Sequence, residues 1–96
     1  MRIIARRALR EFWEQHPDSE QSLRAWYYDV QAAIWKFPAD IKRTYADASI
    51  LGQNRVVFNV KGNRYRLITE VNYRFRRIYI RHVLTHAEYG RGKWKQ

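Results

Sequence analysis

Near the end of the chain lies the run Thr85-His86-Ala87-Glu88-Tyr89, a cluster of groups that can hold or move a proton. Upstream of it lie Lys61, Arg66 and Arg81, cations of the kind that bind phosphate. Together these residue types match the needs of RNA strand cleavage without a metal. A base must take the 2′-hydroxyl proton, cations must stabilise a phosphorane-like transition state, and an acid must protonate the leaving oxygen. Histidine, with an ordinary pKa near 6.5, is suited to the proton steps, and the planar fork of arginine is suited to phosphate.

The spacing alone leaves alternatives open. His86 reads equally as a proton-transfer group at a strand end or as a surface residue in a capped turn. Thr85 and Glu88 have capping-box spacing, which accounts for Glu88 without any chemistry. His82 shares strand parity with Ile80 and Leu84 and is expected to pack into the core, while His16, before Pro17, is expected at a helix end. Basic strands interleaved with tyrosines also describe RNA-binding sheets that cut nothing.

Charge supports a polyanionic partner. The 96-residue chain has a formal charge of +10, and residues 55–96 hold eleven Lys and Arg against two Asp and Glu, compared with eight against seven in residues 1–54. Such an asymmetric basic segment favours nucleic acid through counterion release. Cysteine is absent, which excludes disulfides, thiolate metal sites and a cysteine nucleophile. No Gly-rich phosphate loop, nucleophile elbow or metal-spaced His/Asp pair occurs, so no cofactor and no metal are expected. No apolar run reaches the roughly 18 residues of a membrane helix, and the N-terminus does not read as a secretory signal. The expected location is cytoplasmic, with no membrane partner.

The elements that must position these groups follow from periodicity. Residues 2–4 read as an edge strand. Ala5, Ala8, Leu9, Phe12 and Trp13 mark one face of a first helix, which Pro17 ends. Asp18 is placed to cap a second helix with the stripe Leu23, Trp26, Tyr27, Val30, Ile34 and Phe37. Pro38 to Tyr45 adds a short third helix, and residues 46–54 read as loop. Three strands then form a meander through Gly62-Asn63 and residues 72–74. Alternation puts Val56, Phe58, Val60, Ile78, Ile80 and Leu84 on the core face. Arg77, Tyr79 and Arg81 face outward, and Arg66 shares the face of Ile68 and Glu70. The expected fold is α+β: two N-terminal helices and a short third, packed on a mainly antiparallel sheet of about four strands, in one domain spanning 1–96. The basic tail 91–96 is expected to fray, with Trp94 free to pack or stack.

Several separate segments, taken in order, resemble a known family: MRIIARRALREFWE, the central Trp35-Lys36 with Pro38 to Lys42, ASILG, RVVFNVKGNRYRL and IRHVLTHAEYG. The chain is similar to the HigB-like toxins of bacterial type II toxin-antitoxin modules, within the RelE group of ribosome-dependent mRNA interferases. That resemblance implies the RelE-like fold and an endoribonuclease that cuts translated mRNA on the ribosome without a metal. It also implies neutralisation by a cognate antitoxin, commonly a helix-turn-helix protein of the HigA type. By position it assigns Lys61, Arg66, Arg81, His86 and Tyr89 to the catalytic set, with base and acid roles unassigned. Arg55, Asn59, Asn63, Arg64, Arg77 and Tyr79 make up the RNA-binding set. Where the family's last motif often continues with an acidic residue, this chain has Gly90. The alternatives are a non-catalytic RNA-binding module and a gyrase-inhibiting toxin of the same fold.

Overall fold

In a computed structural model describing residues 1–95, five strands form one sheet in the order β1-β5-β4-β3-β2. They are β1 (Arg2–Ile4), β2 (Ser49–Ile50), β3 (Arg55–Val60), β4 (Tyr65–Asn72) and β5 (Arg77–Thr85). The central β3-β4-β5 meander is antiparallel, and β1 joins β5 in parallel with Arg2 opposite Arg77. The expected count of about four strands falls short by β2. Its two exposed residues pair Ser49 with Val57 in a stretch that read as loop, and two residues are too few to show alternation. The β3-β4 turn places Lys61 and Gly62 at φ of 52° and 67°, a left-handed conformation that glycine adopts freely and lysine does not.

All three N-terminal helices cover one face of this sheet. Helix α1 (Arg6–Gln15) buries Leu9 and Trp13, and α2 (Glu20–Ala32) buries Leu23, Trp26 and Val30. Helix α3 (Pro38–Thr44) starts where the Asp40 carboxylate accepts from the Lys36 and Phe37 amides at 2.8 and 3.2 Å, and it buries Ile41. Phe58 of β3 is the aromatic centre of this layer, with Tyr45, Trp26 and Trp35 at ring-centroid distances of 5.3, 5.4 and 6.1 Å. Helix α2 ends at Ala32, so Ile34 and Phe37 leave its stripe and are exposed, while Trp35 enters the core.

Asp18 does not cap α2. Pro17–Ser19 form a 3₁₀ turn and Ser19, in the αR region, precedes the helix, which leaves Asp18 free for tertiary contacts. Its carboxylate accepts from the Tyr65 hydroxyl at 2.6 Å and pairs with Arg64 at 3.0 Å and Lys61 at 3.6 Å. The Tyr65 hydrogen bond, followed by the Arg64 and Lys61 charges, holds the Asp18 carboxyl below its ordinary pKa despite some desolvation. The hairpin tip is thereby tied to the helix layer.

A bulge in β5 overturns the expected parity of its second half. Ile68 opposes His82 while Thr69 opposes Ile80, so Arg81 is an extra residue without a partner on β4. Ile78 and Ile80 still join the helix-side core, but beyond Arg81 it is Val83 that does so. Leu84 packs instead on the opposite face with Val57, Ile68 and Trp94, and His82 is exposed there rather than packed.

The chain then turns into α4 (His86–Arg91) through the anticipated capping box. Thr85 Oγ1 accepts from the Glu88 amide at 3.2 Å, and Glu88 Oε1 accepts from the Thr85 amide at 2.9 Å. The backbone hydrogen bond from Thr85 also lowers the Glu88 pKa. Gly92, at φ 75°, ends the helix. In the basic tail, Lys93–Lys95 form a 3₁₀ turn and Trp94 is buried, while Gln96 lies outside the described residues.

Candidate active site on the open face of the sheet

The β3-β4 turn and α4 meet at one main-chain atom. The carbonyl oxygen of Asn63 accepts from Arg66 Nη1 and lies 3.3 Å from His86 Nδ1. The His86 amide donates to the Arg64 carbonyl at 3.0 Å, which docks the start of α4 on the hairpin. Because a carbonyl only accepts, this contact requires a proton on Nδ1, and Nε2 is then the basic nitrogen of the neutral ring.

Aromatic stacking fixes the rest of the cluster. The Arg66 guanidinium lies 5.0 Å from the Tyr89 ring centre. Trp94 stacks on the same ring at 5.0 Å and 11° between planes, and its indole N–H donates to the Tyr89 carbonyl at 2.9 Å. Half-buried Tyr89 is thus held by both, and Trp94 anchors α4 to Val57 and Ile68 beneath. Arg66, His86 and Tyr89 form one constellation from two places in the sequence, the start of β4 and helix α4.

Further along the sheet a second cation is held by a carboxylate. Arg81 Nε and Nη2 both lie 3.3 Å from Glu70 Oε1, and its guanidinium is 5.0 Å from the Tyr79 ring centre. The bulge lets Arg81 reach the open face between Tyr79 and His82. Arg55 is the register partner of Glu70, and Arg77 lies over the exposed Phe75 ring at 5.9 Å, toward the opposite end of β5 from His86.

The remaining sequence-derived residues are engaged elsewhere. Lys61 and Arg64 turn to Asp18 on the helix side. The Asn59 amide donates to the Asp47 carboxylate at 3.1 Å, beside β2. At Asn63 the contacts to Arg66 and His86 come from the main chain. Two open-face residues, His82 and Glu70, escaped sequence reasoning: a bulge carries no residue-type signal, and an acidic residue among arginines reads as surface. Among the described residues no group of three or more His, Asp or Glu is placed to hold a metal ion.

A family model described as HigB_toxin, the RelE-like toxic component of a toxin-antitoxin system, matches residues 19–92. The chain belongs to the HigB toxin family. That match includes Asn63, Arg66, Arg81, His86 and Tyr89, and it stops short of Trp94. The chain is 30% identical over 91 residues to the mRNA interferase toxin HigB of Escherichia coli K12, covering 93% of this chain and 88% of that protein. It is equally similar, over the same extents, to the mRNA interferase HigB of Shigella flexneri. An mRNA interferase HigB from E. coli O6:H1 is 24% identical over the same shares of both chains. Membership of the HigB family implies an antitoxin partner. No described helix is long and apolar enough to cross a membrane.

Proposed function

We propose that this HigB-family toxin is an endoribonuclease that cuts mRNA during translation, acting as a single domain in the cytoplasm, with the cluster around the Asn63 carbonyl as its active site. The observation that carries this reading is the shared contact of Arg66 and His86 with that carbonyl, which presents a phosphate-binding cation beside an imidazole of fixed tautomer. The relatives' name, mRNA interferase, supports the same substrate.

In the proposed reaction His86 Nε2 takes the proton of the ribose 2′-hydroxyl as its oxygen attacks the adjacent phosphorus. The bond from phosphorus to O5′ breaks, and the Tyr89 hydroxyl supplies the proton that O5′ needs. The products are a 2′,3′-cyclic phosphate and a 5′-hydroxyl, and solvent exchange restores both side chains. Arg66 stabilises charge on the non-bridging oxygens, and Arg81 joins it on exchanging Glu70 for phosphate. No step uses a metal. Arg55, Arg77 and Tyr79 extend the binding surface along the strand, while Lys61, Arg64 and Asn59 serve RNA only by giving up Asp18 and Asp47. The antitoxin is proposed to be a helix-turn-helix protein of the HigA type.

The test is a reconstituted translation reaction with the purified chain, with mRNA 5′ ends mapped by primer extension. The expected result is cleavage of translated but not free mRNA, lost in His86→Ala and Arg66→Ala while circular dichroism is unchanged. Intact mRNA with the wild-type protein, or full cleavage by both variants, overturns the reading. Inhibited DNA supercoiling with intact mRNA would point to gyrase instead.

A further inference from the structure

Beside the proposed active site, a cleft of about 240 Å³ opens on the same face, lined by His82, Leu84, Glu88, Arg91, Lys93 and Trp94. It exists because of the bulge at Arg81, which turns His82 and Leu84 away from the helices. The cleft adjoins the active-site cluster: Trp94, in its wall, stacks on Tyr89. We infer that this cleft is a nucleobase subsite that reads one base of the RNA next to the scissile bond, favouring guanine; this rests on the endoribonuclease reading above.

The chemistry of the walls selects that occupant. Leu84 and the buried Trp94, whose ring is stacked on Tyr89 with Lys95 Nζ 5.5 Å from its centre, form the apolar part of the wall, and the exposed His82 imidazole is the flat group free to stack on a base or bond its edge. Arg91 and Lys93 at the rim are cations for the flanking phosphates. Glu88 uses Oε1 in the capping box and retains Oε2 as an acceptor. A carboxylate that only accepts favours a base with adjacent donors on its pairing edge. Guanine, with N1–H and N2–H side by side, meets that condition better than uracil, which offers a single N3–H. The cations at the rim match a polyanion better than a basic or neutral protein segment.

The experiment compares cut sites of wild type, His82→Ala and Glu88→Gln by sequencing mRNA 5′ ends from a translation reaction. Glutamine can complete a capping box as glutamate does, so the second variant keeps α4 while removing the charge. Wild type is expected to favour guanine at one fixed position beside the cut. Each variant should reduce that preference about 3- to 10-fold, the effect of losing one or two hydrogen bonds, with an unchanged melting temperature. Unchanged base profiles in both variants overturn the inference while leaving the enzyme reading intact. Unchanged profiles with weakened capture by the antitoxin would assign the cleft to that protein and overturn it equally. No cutting by wild type overturns both.

Discussion

The sheet presents two faces that use the same strands for opposite purposes. Toward the helices, Val56, Phe58, Leu67, Val71 and Ile78 are almost completely buried and converge with three tryptophans on one core. On the other face the buried cluster is small, Val57, Ile68 and Trp94, and around it stand Arg66, Arg81, His82 and His86. Charged side chains there are held by a backbone carbonyl, a carboxylate and aromatic rings. The contrast teaches that apolar packing and oriented charge are separated by strand parity: one face excludes water, and the other keeps polar groups partly wet and oriented.

That separation can be broken from either side. His86→Ala should lower mRNA cleavage about 10²- to 10⁴-fold, the usual contribution of a positioned proton-transfer group, and shift stability by no more than about 0.5 kcal/mol. Single-turnover cleavage and urea unfolding of the same preparation test both halves. Phe58→Ala should do the reverse, costing about 3–5 kcal/mol by opening a cavity among Trp26, Trp35 and Tyr45, read as a lower urea midpoint.

Trp94 lies between these extremes and sharpens the comparison. Trp94→Ala should cost about 2 kcal/mol, less than a full core truncation because the cluster it covers is small. It should also lower cleavage, because Tyr89 loses its stacking partner; near-normal cleavage would show that α4 holds its place without it. The smallest effect concerns pH. Asp18 has a folded pKa below its ordinary 3.8, so the ionised form is favoured by folding. Its contribution is fully present above that value and is lost as pH falls through the depressed folded value. Asp18→Asn should therefore flatten the acid limb of stability against pH, read by urea unfolding across a pH series.

Much of this arrangement was legible because it follows local rules. Alternation in β3 placed Val56 and Phe58 on the core face, and the spacing of Thr85 and Glu88 gave the capping box. Family-like segments singled out Arg66, His86 and Tyr89, which the fold brings together. What stayed hidden depends on one residue's change of phase or on partners distant in sequence. The bulge at Arg81 reverses His82 and Leu84 without any Gly or Pro to mark it. Asp18 looked like a helix cap because its partner Tyr65 is 47 positions away. Trp94 in a basic tail gave no sign of the ring it would meet, since a stacking partner has no periodicity.

The contact at Asn63 has a genetic consequence. Because the acceptor for Arg66 and His86 is a peptide oxygen, codon 63 can change to many amino acids without deleting it, provided the turn survives. A selection for colonies that outlive expression of this gene should recover lesions at codons 66 and 86 repeatedly and pass over codon 63, although all three residues meet at the same atom.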